Sequence, residues 1–338
     1  MSEIKISNIE AKLYKPEPFK KQVAELGSKY LGFLFVPGKT DPELERRKML
    51  LTRFQSKRKF ISKLNNPLTI LGFIILFIVL TWAIFAPLIT HFDFYAINLV
   101  AEGETGWAPP DDVHILGTAK FGRDVYSRLI WGARSSLTMG LFSIIISVTL
   151  GTLLGIYSAY QGGLVDNLIM RLVDIIMAFP GLIIVIIIIS ILGPSMENIL
   201  TVYGILGIPG YARLVRGTAL QEKNKTYVEA ARVSGASNTK IIFRHILPNC
   251  LAPVLVSFTF DIGGIILSLA GLAYLGFSDP TLIEWGNDIQ YARSKIYKAP
   301  YAAFTPGFGI LITVLAFMLI GDGLRDAFDP RLQGKKKK

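Results

Sequence analysis

The chain has 338 residues, 51% hydrophobic and 18% charged, with a mean hydropathy of +0.45. A soluble domain carries roughly a quarter charged residues, and here the apolar residues come in long blocks rather than at amphipathic spacing. Composition therefore excludes an ordinary soluble protein and points to an integral membrane one. The net charge of +11 gathers in certain loops and in both tails, as a topology signal does, which argues against nucleic acid as a partner.

Residues 1–67 hold 15 Lys/Arg against 7 Asp/Glu. They contain no apolar stretch long enough to span, so no cleavable signal is expected, and the basic tail is expected to stay in the cytoplasm. An apolar patch at 30–36 is suited to lying on a bilayer. Residues 41–60 read as partly helical, with Arg46, Arg47, Lys57, Arg58 and Lys59 toward anionic headgroups or simply solvated. The first span is expected at 68–89. Residues 91–134 follow with 6 acidic and 4 basic residues, a balance that suits the outer side.

The second span is expected at 137–157, where Gly151 and Gly155 stand at GxxxG spacing and let another helix approach. Gly162 and Gly163 then make a tight inner turn. The third span, 165–192, contains Pro180 as a kink. The fourth, 199–214, is short and carries Gly204, Gly207, Pro209 and Gly210, so it is either locally unwound or packed tightly on a neighbour. A polar segment with 7 Lys/Arg against 2 Glu between 213 and 249 is expected inside. The fifth span is placed at 253–275 and the sixth at 301–320, separated by an outer loop and followed by a tail ending in Lys335 to Lys338. An all-α membrane protein with six spans and both termini in the cytoplasm satisfies each of these charge counts.

Within the polar segment, Glu229 to Val233 can form a short helix, and Gly235 offers a turn. Ser237 and Asn238 supply a fresh N-cap, and 239–246 reads as a second short helix with Ile241, Ile242 and Ile246 on one flank, stopped by Pro248. Two short helices with a hinge, held between spans, have the form of a docking element.

No phosphate loop, HExxH or nucleophile elbow is present, and His91, His114 and His245 lack metal-ligand spacing. The chain is therefore read as a non-enzyme that binds neither cofactor nor metal. Ionisable residues inside spans cost roughly 2.5–3.5 kcal/mol each at a helix centre and need a reason. Arg171 and Asp174, three apart, are placed as a structural ion pair. Asp261, Ser268 and Asp174 are the candidates for lining a translocation pathway, with a purely structural role for the acids weighed beside it.

The pattern Glu229-Ala230-Ala231, three residues, Gly235, nine residues, then His245-Ile246-Leu247-Pro248 resembles the EAA motif of ABC importer permeases, with His245 where isoleucine is common. Residues 114–137, 170–182, 210–217 and 321–331 are similar to blocks of the dipeptide/oligopeptide permease family, C-component type. Ala119 stands where that family usually has an acid, and Leu269 where it often has Glu. The resemblance implies the type I ABC importer permease fold. Residues 1–60 would be a basic cytoplasmic extension, 61–133 the first span plus an external segment, 134–326 the permease domain with its coupling loop at about 215–250, and 327–338 a basic tail.

It further implies a multi-pass subunit of the cell inner membrane that pairs with a homologous permease. Two ABC ATPases carrying ATP and Mg would dock beneath, and an external solute-binding protein would deliver peptides. Glu229, Ala230, Ala231, Arg232, Gly235, Ala236, Ile246, Leu247 and Pro248 would couple to the ATPases, and Gly117, Thr118, Gly122, Arg123 and Asp124 would form the external segment. Oligosaccharides or nickel are the rival solutes. A proton-coupled secondary transporter, favoured only by Asp174 and Asp261, and a non-transporting scaffold are the rivals from other classes.

Overall fold

A computed structural model describes residues 64–90 and 106–328, which belong to one compact unit, Lys59–Lys338. The expectations for the N-terminal tail and for the terminal lysines lie outside the described residues. Helix α1 spans Pro67–Ile89, with Pro67 in its first turn and the Asn66 side chain accepting the Leu68 N–H. Helix α2, Val125–Gln161, is capped by Asp124 and ends at Gly162 with a φ of +68°. Its 37 residues exceed the roughly 20 that cross a bilayer. The extra length lies mainly before residue 137, where the sequence places only an outer loop.

Pro180 does more than kink the third segment. Helices α3, Gly163–Met177, and α4, Gly181–Leu192, meet at 83° across three residues. Proline has no N–H to continue the ladder and turns Phe179 away from helical backbone angles, so the helix stops. Helix α5, Met196–Lys223, runs unbroken through Pro209. The helix is therefore not unwound at its glycines, and two of them, Gly204 and Gly207, serve close packing. A Cβ on Gly204 would meet Ile146 at 2.9 Å, and one on Gly207 would collide with Ser147. On the facing side, a Cβ on Gly151 would meet Tyr211 at 2.5 Å, and one on Gly155 would strike the Ala212 backbone. The α2–α5 pair is thus a small-residue seam, sealed where Ser147 donates to the Gly204 carbonyl at 2.8 Å and Ser143 to that of Leu200 at 3.0 Å.

After the short helices α6, Thr226–Val233, and α7, Asn238–Ile241, a π-turn at Ile242–Ile246 leads directly into α8, Leu247–Tyr274. The expected stop at Pro248 does not occur. Pro248 sits in the first turn of α8, where the wider register of the π-turn has already displaced the amide ladder and a missing N–H costs little. Helix α9, Trp285–Ala292, lies between α8 and α10, Tyr301–Phe328.

Four stretches are long and apolar enough to cross a membrane, namely α1, α2, the continuous Asn238–Tyr274 and α10, and the bent α3–α4 pair makes a fifth if it counts as one span. The chain is thus a multi-pass membrane protein, helical throughout its described spans. Helix α5, expected as the fourth span, is not among these stretches. It carries Arg213, Arg216, Glu222 and Lys223 on its C-terminal half.

Candidate functional site

Three places in this bundle gather the chemistry. The first is a cavity of about 720 Å³ bounded by α2, α3, α4, α5 and α8 and lined by Ser147, Tyr203, Tyr211, Asp261, Gly264 and Ser268 among others. Tyr211 donates to Asp261 Oδ2 at 2.5 Å, and Tyr203 donates to the Ser268 carbonyl at 3.0 Å. Asp261 and Ser268 therefore share one cavity. Leu269 is not among the lining residues and is buried with Met139, Val185 and Ile189.

Asp174 is not among the cavity-lining residues. It pairs with Arg213 of α5 at 2.6 Å, both side chains about half exposed (50% and 54%). The expected partner, Arg171, makes no ion pair with it. Arginine N-terminal to an acid is the weaker order on a helix, and the guanidinium of α5 reaches Asp174 from outside.

The second place is the loop 224–249. Helix α6 ends in a Schellman motif: the Ala236 N–H bonds the Ala231 carbonyl at 3.1 Å, and the Gly235 N–H bonds that of Arg232 at 3.0 Å. Gly235 occupies the left-handed position with φ +78°. Glu229, Ala230, Arg232 and Pro248 are exposed, Ala231, Ala236 and Leu247 half-buried, and Ile246 buried. Tyr227 ties the loop down. It donates to Glu222 Oε2 at 2.5 Å and accepts from Asn249 Nδ2 at 3.1 Å, and burial followed by the bond to Glu222 pushes its hydroxyl up to about 12. Tyr160 of α2 donates to Asn238 at 2.5 Å, and Lys223 donates to the Tyr160 carbonyl at 2.7 Å. Close by, Arg216 grips Asp166 with two bonds of 2.6 Å. Ser158 donates to the same carboxylate at 2.5 Å, so α2, α3 and α5 are joined where the loop begins.

The third place is a platform at the other end of α2. Gly117, with φ +73°, lies against the Tyr301 ring, and a Cβ there would meet Tyr301 at 2.7 Å. Thr118 is buried, and its hydroxyl accepts the Ala108 N–H at 2.8 Å. Gly122 has φ +65°. The Arg123 guanidinium lies over Phe121 and Tyr291 at 5.3 and 6.0 Å. Asp124 caps α2 through the Ser127 N–H at 2.7 Å and faces His114 Nδ1 at 3.0 Å. Ala119 is buried in a cluster with Val125, Ala292 and Ala302, an environment in which an acid would need a partner.

The platform also holds groups that the sequence did not single out. Arg128 and Asp288 form a buried pair at 2.5 Å, and Trp285, fully buried, donates to the Leu129 carbonyl at 3.0 Å. Glu284 is 2% exposed, and its Oε2 has no hydrogen-bond partner among the described residues. Burial, and then the charge of Asp288, pushes its carboxyl up to about 8.

Residues 151–334 match the family model described as the binding-protein-dependent transport system inner membrane component. The chain belongs to this family. The matched stretch contains the loop 224–249 and every cavity-lining residue except Ile144 and Ser147. Similarity extends further among individual permeases. The dipeptide transport system permease protein DppC of Alkalihalophilus pseudofirmus is 38% identical over 301 residues, 89% of this chain and 97% of that protein. The glutathione transport system permease protein GsiD of Pectobacterium atrosepticum is 42% identical over 244 residues, 72% of this chain and 78% of that one. The DppC of Haemophilus influenzae is 41% identical over 276 residues, 80% and 92% of the two chains.

Proposed function

We propose that this permease is one half of the translocation pathway of an ATP-driven importer of peptides, set in the cell inner membrane with both termini in the cytoplasm. A homologous permease supplies the other half, two ABC ATPases bind beneath, and an external binding protein delivers the solute. ATP and Mg belong to the ATPases. In this reading six segments cross the membrane in the type I arrangement, with α5 shielded by its glycine seam to α2. The dipeptide and glutathione permeases among its relatives support a peptide as the solute.

The observation that carries the reading is the build of the loop 224–249. Its exposed side presents Glu229, Ala230, Arg232 and Val233, the last 89% exposed, as a surface for a partner. Its other side is welded to the bundle, because α7 passes without interruption into α8, the helix that bears Asp261. A rigid-body motion of the ATPases on binding nucleotide would thus move α7 and α8 together and change the cavity. Glu229 to Arg232 contact the ATPase, Gly235 fixes the angle between α6 and α7, and Ile246, Leu247 and Pro248 form the root of the lever.

The test is uptake of a labelled dipeptide by cells whose other peptide importers are deleted. Uptake should stop when ATP is depleted while the proton gradient is kept, and the chain should copurify with two ATPases and a second permease. Uptake that persists on the gradient alone would instead identify a proton-coupled carrier.

A further inference from the structure

The cavity beside Asp261 has a one-sided polar surface. Ser257, Asp261, Gly264, Ser268 and Gly271 all line it, and their spacing of four, three, four and three places them on one face of α8. The small neighbours leave open space around the carboxylate. None of the lining residues is Lys, Arg or His. The arginine nearest in sequence to the lining stretch of α5, Arg213, is held by Asp174 at 2.6 Å.

The hydroxyls add to this asymmetry. Five line the cavity, and four of them donate into the protein. Ser147 donates to the Gly204 carbonyl at 2.8 Å, Ser268 to that of Gly264 at 2.8 Å, Tyr203 to that of Ser268 at 3.0 Å, and Tyr211 to Asp261 at 2.5 Å. What they turn toward the cavity is oxygen lone pairs. Tyr211 is itself buried against Gly151, so it holds Asp261 by Oδ2 in a fixed orientation. Oδ1 receives no hydrogen bond among the described residues. A surface of acceptors around one carboxylate suits a ligand that brings only donors and a positive charge. A primary ammonium, with three N–H groups and no acceptor, is such a ligand.

We propose that Asp261 is the subsite that receives the amino terminus of the transported peptide. Tyr211 is its positioning residue. This rests on the peptide-importer reading above and adds to it which end of the solute the permease holds. A carboxylate of the solute finds no cation in this cavity and belongs elsewhere along the path.

The experiment uses the complete transporter in liposomes with ATP on the ATPase side. Binding protein is supplied saturated with each peptide, after its affinity for each has been measured, so that delivery is equal. The probes are trialanine, trialanine amide, N-acetyl-trialanine and N-acetyl-alanyl-lysine. In the wild type, trialanine and its amide should cross at similar rates and N-acetyl-trialanine roughly tenfold or more slowly, the effect of losing a charge-assisted contact. In Asp261→Asn the trialanine to N-acetyl-trialanine ratio should collapse toward one, and Asp261→Glu should restore part of it. Tyr211→Phe should lower the ratio in part through a raised KM.

A ratio unchanged in Asp261→Asn overturns the subsite, whatever the absolute rates, because misfolding lowers both rates alike. N-acetyl-alanyl-lysine crossing as fast as trialanine in the wild type would assign the site to any primary ammonium and overturn its assignment to the amino terminus. If the wild type imports none of the four with ATP present, the peptide reading itself fails, a result distinct from either of these.

Discussion

At one end of the α2–α5 pair, Trp285, Arg128, Asp288 and Glu284 are all buried, and charged groups meet in the interior. At the other end Glu229, Arg232, Val233 and Phe243 are exposed, and the loop hangs from the bundle by Tyr227, Asn249, Tyr160 and Lys223. The platform spends its polar groups on itself, whereas the loop leaves its own for something outside the chain. A buried charge is expensive to separate from its partner, so the platform resists deformation. Hydrogen bonds at an exposed surface are each worth about 1 kcal/mol or less net, so the loop can shift as a body on its hinges. The cavity lies between a fixed end and a movable one.

That contrast breaks most visibly at Arg128 and Asp288. Asp288→Ala leaves the Arg128 guanidinium buried without its partner, a loss of about 3–5 kcal/mol. The expected outcome is a much reduced amount of folded protein in the membrane and a clearly lower Tm in detergent. The double variant Arg128→Met, Asp288→Leu should regain most of the lost stability, because an apolar pair avoids the desolvation penalty altogether. If Asp288→Ala melts with the wild type, the platform is not the fixed end.

Why the sequence showed the loop and not this pair is a matter of range. The EAA pattern, the glycine after it and the next cap all fall within 20 residues, and the local chemistry of each residue names its place: an alanine helix, a left-handed turn, a serine cap. Arg128 and Asp288 are 160 positions apart, and neither sits in a patterned stretch that would join them. The same limit explains Asp174, whose partner is 39 positions away on α5 rather than three away on its own helix. It explains Tyr211 and Asp261 too, 50 apart. The apolar stretches at α1, α2, α8 and α10 were legible because apolar blocks are local. The end of α5 and the passage through Pro248 were not, because both depend on a neighbouring helix or on a change of helical register.

Glu284 sharpens the contrast through pH. Its carboxyl ionises at about 8 when folded against an ordinary 4.5. The folded protein therefore holds a proton that the unfolded chain has lost between those values. The stability this contributes is complete below about 4.5, declines as pH rises, and is gone above about 8. The change across the window is on the order of 5 kcal/mol. Glu284→Gln, neutral at every pH, should melt higher than the wild type at pH 8.5 and nearly with it at pH 5. Parallel Tm curves for the two proteins between pH 5 and 8.5 would show that Glu284 is solvated or paired after all.

The smallest effect on stability is expected at Gly235, where the effect on transport should be large. Among the described residues, no atom lies within 4 Å of a Cβ placed there. What a substitution must bear is the backbone, held at φ +78° by the two Schellman bonds. For Val that strain is about 1–2 kcal/mol, and it can be relieved by opening the turn between α6 and α7. Asn adopts the same conformation at little cost. Gly235→Val should therefore reach the membrane in normal amounts with a Tm within a few degrees of the wild type, yet import at least tenfold more slowly while the ATPases still turn over. Gly235→Asn should import nearly normally. Gly235→Asp separates the two ways in which the site can fail. Its backbone tolerance resembles that of Asn, so loss of uptake in Gly235→Asp alone would trace to a negative charge on the docking face, whereas loss in Gly235→Val alone would trace to the angle between the helices. Normal uptake by Gly235→Val would mean that the angle carries no motion, and the loop would then be an anchor rather than a lever.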